Sequence, residues 1–225
     1  ICISANIPIS VRTTYYKGFI EGDKISINDD TESIIVYGER LAEVVKIVKH
    51  HTGKDKVILI AHSMGGLVSR SYLKNSGGVN DVYALITVGT PHHGVDGHES
   101  QLGFTGELLD DLCQTGIPGF LEGHKGEECE EMWYESSFIQ SLNSGDETPG
   151  NVKYYSIIGS CCEGSDGTYD DEIVSVDSAT LDGAKNILFE GSQRSGTNTY
   201  HQELEKPSKV PEIYQEIKRI LKDLN

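Results

Sequence analysis

The run Ile60-Ala61-His62-Ser63-Met64-Gly65-Gly66-Leu67 follows the β-branched stretch Lys56 to Ala61 (KVILIA) and opens directly into a helical pattern. A hydroxyl on a sharp turn from strand to helix projects from the sheet edge and is held in a strained backbone conformation, which suits a nucleophile that attacks a carbonyl carbon. Small residues are required two places before and two places after it, because the strand and helix backbones nearly touch there. Ala61 and Gly65 meet that requirement, although glycine is the more usual residue at the first of these places. The helix N-terminus behind Ser63 would stabilise developing negative charge. The backbone N–H of Met64 is the expected first donor to an oxyanion. The competing explanation is a Ser-Gly turn without chemistry, and the order of strand, turn and helix argues against it.

Such a serine needs a rigid platform, and the rest of the chain supplies its elements. Strand-like apolar runs alternate with helical patterns, the signature of a mostly parallel sheet covered by helices. Residues Ser10 to Tyr16 read as a weak strand. Asp29 and Asp30 offer N-caps for a helix carrying Leu41, Val44, Val45 and Val48 on one face, which Gly53 would terminate. Lys56 to Ala61 has the composition of a strand buried on both faces. The helix from Ser63 should stop around Asn75 to Gly78. Further strands are expected at Val82 to Val88, Lys153 to Ile158 and Asn186 to Phe189. A last helix starts near Pro211, with Ile213, Ile217, Ile220, Leu221 and Leu224 as its core stripe.

Four blocks, AHSMGGLV, VGTPHHG, FIQSLNSGDETPG and DEIVSVDSATLDGAKN, occur in this order and together resemble bacterial and archaeal lipases of the small Bacillus lipase type and their larger relatives. The resemblance runs from roughly Ser33 to Leu204. It implies an α/β-hydrolase fold, a mostly parallel central sheet with helices on both faces; the lid-like insertion, Val95 to Tyr134, has no clear counterpart in the family. It also implies a Ser-Asp-His triad acting on carboxylic esters, with no cofactor and no metal. In that fold the acid follows the strand ending at Ile158, where Asp166, Asp170 and Asp171 compete. Asp171-Glu172-Ile173-Val174 matches the family's pattern, so Asp171 is the expected acid. The base should follow the strand ending at Phe189, and His201 is the one histidine beyond it. Among the other histidines, His62 adjoins the nucleophile and should point away from it, whereas His92 and His93 follow a strand at the same edge and are candidate substrate contacts. All three are candidate pocket residues. His50 and His51 close a helix, whereas His98 and His124 fall in the insertion.

The second oxyanion donor normally comes from a loop after an early strand, often marked by His-Gly. No such motif precedes Ser63, and the donor is not identifiable. Either the first strand and its oxyanion loop are missing from residues 1–225, which is the expectation, or the family's pattern has been rebuilt; the residues otherwise form a single domain. Residues 95–135 occupy the lid position and carry Leu108, Leu109, Leu112, Phe120, Leu121 and Trp133. They could cover an acyl pocket or only shape it. Asp166, Asp170 and Glu172 could hold calcium, but no complete ligand loop surrounds them.

A net charge of −16 argues against nucleic acid and anionic membrane surfaces, both of which call for basic patches. No apolar stretch approaches the ~20 residues of a membrane span. Five cysteines cannot all pair internally. Cys113 with Cys129 is a candidate loop staple, and the adjacent Cys161 and Cys162 lack metal-site spacing. The partner that the resemblance implies is a small-molecule or lipid ester, and transient contact with a lipid surface is compatible with it. Compartment and oligomeric state are not readable from the residues. The alternatives are a thioesterase or amide hydrolase on the same triad, or a non-catalytic binding protein of the same fold.

Overall fold

The structure is a computed structural model that describes residues 9–21, 24–28, 32–95, 126–163, 167–192 and 199–224. Four parallel strands form its centre in the order β3–β4–β5–β8: β3 (Val57–His62), β4 (Val82–Val88), β5 (Lys153–Ser160) and β8 (Lys185–Glu190). Two small antiparallel pairs stand apart from it, β1 (Lys17–Glu21) with β2 (Lys24–Asn28) and β6 (Cys162–Glu163) with β7 (Tyr169–Asp170). The helices are α1 (Ile34–Thr52), α2 (Met64–Asn75), α3 (Glu127–Glu131), α4 (Ser137–Asn143), α5 (Val176–Ala179), α6 (Tyr200–Glu203) and α7 (Pro211–Asp223). This is the mixed architecture of the α/β-hydrolase fold. Among the described residues, no helix is long and apolar enough to cross a membrane.

Helices cover both faces of the sheet, and β4 shows how the core divides between them. Val82 and Leu85 join Tyr37, Leu41 and Val45 of α1 and Leu67, Val68 and Tyr72 of α2. Ala84, Ile86 and Val88 instead meet Ile213 and Ile220 of α7, with Ile217 and Leu221 at the margin. Strict alternation would not send both Val82 and Leu85 to the same side. A register shift between Val57 and Ile58 inserts Tyr83 as an extra residue and restores the pattern.

Three expectations need correction. Residues 9–16 contain no strand; the strand begins at Lys17 and pairs with β2. The N-cap of α1 is Ser33, whose hydroxyl accepts from the Ile35 amide at 3.2 Å. Asp29 and Asp30 lie outside the described residues. Glu131, at the end of α3, completes this cap by accepting from the Ser33 hydroxyl at 2.7 Å and from the Ile34 amide. A carboxylate there suits both the unpaired amides and the positive end of the helix. Finally, β3 is not buried on both faces. It is an edge of the described sheet, and Ile58 and Ile60 are 36% and 51% exposed on the face where α7 covers β4 but not β3.

Within the expected insertion 95–135, only Val95 and residues 126–135 are described, so Leu108, Leu109, Leu112, Phe120 and Leu121 lie outside. Val95 bridges to Trp133, which fixes both ends of the segment against each other. Cys161 and Cys162 form a disulfide with one another. Cys129 is also disulfide-bonded, but the expected partner Cys113 lies outside the described residues.

Among the described glycines, the least room for a side chain is at Gly66, at the start of α2. A Cβ added to Gly66 would lie 2.1 Å from the Thr90 hydroxyl oxygen, whereas one on Gly65 would meet only the Ala61 methyl at 3.7 Å. Ala61 is therefore compatible with the turn. Because Thr90 is fully buried and cannot swing away, Gly66→Ala is expected to cost about 1–3 kcal/mol of stability through overpacking. Gly65→Ala should be close to neutral. Denaturant melts of the two variants against the parent check the contrast.

Candidate active site

The strands β3 and β4 end level with one another, His62 facing Val88, and β5 continues from Ile157, which faces Val88, to Ser160. Chemistry in open parallel sheets gathers at this carboxyl edge. Ser63 is the first residue past β3. Its amide still donates to Val88 O at 3.0 Å, as one more rung of the ladder, and its carbonyl accepts from the Gly66 amide at 2.9 Å, as the start of α2. Serving both elements forces φ 52° and ψ −132° on it, a conformation that side-chain-bearing residues rarely adopt. The Thr90 hydroxyl donates to the same carbonyl at 2.9 Å and braces the turn from β4's side.

Asp171 and His201 arrive from later loops. The Asp171 Oδ2 lies 2.8 Å from His201 Nδ1, and the His201 Nε2 lies 2.9 Å from Ser63 Oγ. The other carboxylate oxygen of Asp171 accepts from the Val174 and Ile173 amides at 2.8 and 3.2 Å. The His201 amide donates to the Asp171 carbonyl at 2.9 Å, so backbone and side chain are paired together. Asp171 and His201 are 1% and 2% exposed, whereas Ser63 is half-buried and reachable from outside. This Ser63–His201–Asp171 network is consistent with a catalytic triad for ester hydrolysis and supports classification as a serine hydrolase.

Two glycines make room for it. A Cβ on Gly89, which has φ +56°, would stand 3.2 Å from both Asp171 Oδ2 and His201 Nδ1; one on Gly159 would meet Leu204 and the Asp171 Cβ at 2.9–3.1 Å. Sequence reasoning overlooked Gly89, Thr90 and Gly159. The first two lie in VGTPHHG, where a glycine directly after a parallel strand is the available signal.

The remaining candidates occupy varied surroundings. Asp170 is fully buried and accepts from the Glu172 amide, while Glu172 accepts from the Tyr200 amide at the start of α6. Both carboxylates are therefore turned to backbone amides, and Asp166 lies outside the described residues. Among the described residues, Cys161, Cys162 and Asp170 form the cluster with metal-ligand spacing, but the two sulfurs are bonded to each other. His92 is fully buried, with Nε2 3.0 Å from the Thr87 hydroxyl. Burial holds its pKa well below the usual imidazole value, and the Arg70 charge acts in the same direction. The Arg70 guanidinium donates to the His92 carbonyl at 3.2 Å and to Asn143 Oδ1 at 2.8 Å, tying the loop after β4 to the end of α4. The His93 ring is 3.2 Å from Glu147 Oε1 and about 40% exposed. His62 Nε2 is 3.0 Å from the His201 carbonyl. Met64 is the first residue of α2, so its amide belongs to the turn of unpaired N–H groups at the helix start.

Residues 28–104, less than half of the chain, match the family model of the PGAP1-like alpha/beta domain. No curated protein shows a significant match. The mature form of the Bacillus licheniformis lipase BlEst2 is similar in structure, with a TM-score of 0.56 at 23% identity, over 81% of this chain and 75% of that one. A thermophilic esterase from Thermogutta terrifontis gives a TM-score of 0.55 at 14% identity, over 93% of this chain and 78% of that one. A metagenomic carboxyl esterase gives 0.56 at 15% identity, over 85% of this chain and 62% of that one. At such identities the likeness is one of fold.

The two neighbouring aspartates provide a sharp check on the site. Asp171→Asn is expected to lower kcat by ~10³–10⁴-fold, since the amide favours the wrong imidazole tautomer. Asp170→Asn should retain activity within about an order of magnitude, because its carboxylate meets a backbone amide of its own loop. Ester hydrolysis by both folded variants decides between them.

Proposed function

We propose that the protein hydrolyses carboxylic esters through an acyl-enzyme on Ser63, with His201 as general base and acid and Asp171 as its orienting partner. The observation that carries this reading is the continuous chain from Asp171 through His201 to a half-exposed Ser63 on a strained turn. His201 Nε2 takes the proton from Ser63 Oγ as the oxygen bonds to the ester carbonyl carbon. The carbonyl oxygen becomes an oxyanion beside the Met64 amide. As the tetrahedral species collapses, the carbon–alkoxy bond breaks and His201 returns the proton to the departing alcohol. Water then repeats the sequence on the acyl-enzyme and releases the carboxylic acid. Asp171 orients the imidazole and stabilises the imidazolium, and its two backbone donors hold the carboxylate in place.

The names of the similar structures, a lipase and two esterases, support ester substrates, and the sequence blocks favour the small Bacillus lipase type. On the same reading residues 1–225 act as one unit. The leucines and aromatic residues of 95–135 are more apolar than an idle acidic loop requires, which favours a role for this segment in setting substrate size.

Ser63→Ala tests the reading directly. Turnover of a short nitrophenyl ester should fall by roughly 10⁴-fold or more while the thermal melt is preserved. A fluorophosphonate probe should label the parent and not the variant. A folded variant that keeps most of its activity, or a parent that never labels, would sink the assignment.

A further inference from the structure

His201 sits on α6, a helix of four residues, too short to hold its own geometry. Its backbone is instead held by tertiary bonds. The amide donates to the Asp171 carbonyl at 2.9 Å, and the carbonyl lies 3.0 Å from His62 Nε2. A carbonyl can only accept, so this nitrogen must carry the hydrogen, which fixes how His62 is protonated there. The two imidazole rings lie 4.8 Å apart between centroids.

His62 is also the residue bonded to Ser63, at the end of β3, where the ladder to Val88 fixes its backbone. Nucleophile and base are thus connected twice. One link runs from Ser63 Oγ to His201 Nε2, and the other from the neighbouring side chain to the base's own backbone. The second link does not involve the proton that moves, so it persists while the first is broken and remade.

We infer that His62 is a positioning residue, which sets the distance between Ser63 and the His201 ring by holding the His201 carbonyl. The inference rests on the triad reading. It also needs a ring that stays uncharged beside an imidazolium. Burial pushes the His62 pKa down to about 3, with the neighbouring His201 acting in the same direction.

Replacement by phenylalanine keeps an aromatic ring but removes the donor. Glutamine places an amide N–H the same number of bonds from Cβ as the imidazole Nε2, and asparagine places it one bond short. His62→Phe and His62→Asn should lower kcat for nitrophenyl acetate by about 10–10²-fold, the scale of a misplaced catalytic group. KM should change by less than about threefold, and fluorophosphonate labelling should slow in step with kcat. His62→Gln should recover most of the loss. The Gln and Asn pair carries the comparison if the phenylalanine variant fails to fold. Equal activity of folded Gln and Asn variants, or a loss confined to KM, would overturn the inference. A parent enzyme with no Ser63-dependent hydrolysis would overturn the triad reading instead, so the two failures are distinguishable.

Discussion

The buried Asp171–His201 pair is the interaction around which the carboxyl edge of the sheet is organised. An ionised carboxylate excluded from water is costly unless its oxygens are paired. Here one oxygen meets the imidazole and the other two backbone amides. Satisfying it brings together the loop after β7, the short helix α6 and, through His201, the end of β3. The same requirement explains why glycine stands at 89 and 159. A side chain at either place would press on the pair or on Leu204, which packs behind it.

What the sequence disclosed, and what it withheld, follows from the range of the interactions involved. Ser63 was legible because a strand, a turn and a helix start are local patterns, and the small residues they demand lie within a few positions. The parallel sheet was legible for the same reason, with Val82 to Val88 recovered at its full extent. Asp171 was harder to read. Asp170 beside it is equally buried, and no local rule tells which carboxylate will face an imidazole thirty positions away. The resemblance, rather than the chemistry of the residues, favoured Asp171.

Longer-range features were illegible. The bond between His62 and the His201 carbonyl spans 139 positions. The sequence places His62 beside the nucleophile and carries no sign of a bond to the base's own backbone. The bond by which Glu131 caps α1 spans 98 positions. The exposure of Ile58 and Ile60 is not legible in sequence, because a β-branched run looks alike whether the strand is central or lies at the edge of the described sheet. Burial is set by neighbours that the run itself does not encode.

The backbone of Ser63 has a consequence for selection. Holding a side-chain-bearing residue at φ 52° costs about 1–3 kcal/mol, a noticeable share of the roughly 5–15 kcal/mol that keeps a domain folded. Glycine would adopt this turn with less strain, so a screen that rewards thermal stability alone would enrich the glycine chain, which has no hydroxyl at that position. Serine there is a cost carried by the fold, and it persists only where the turn is under selection for its chemistry.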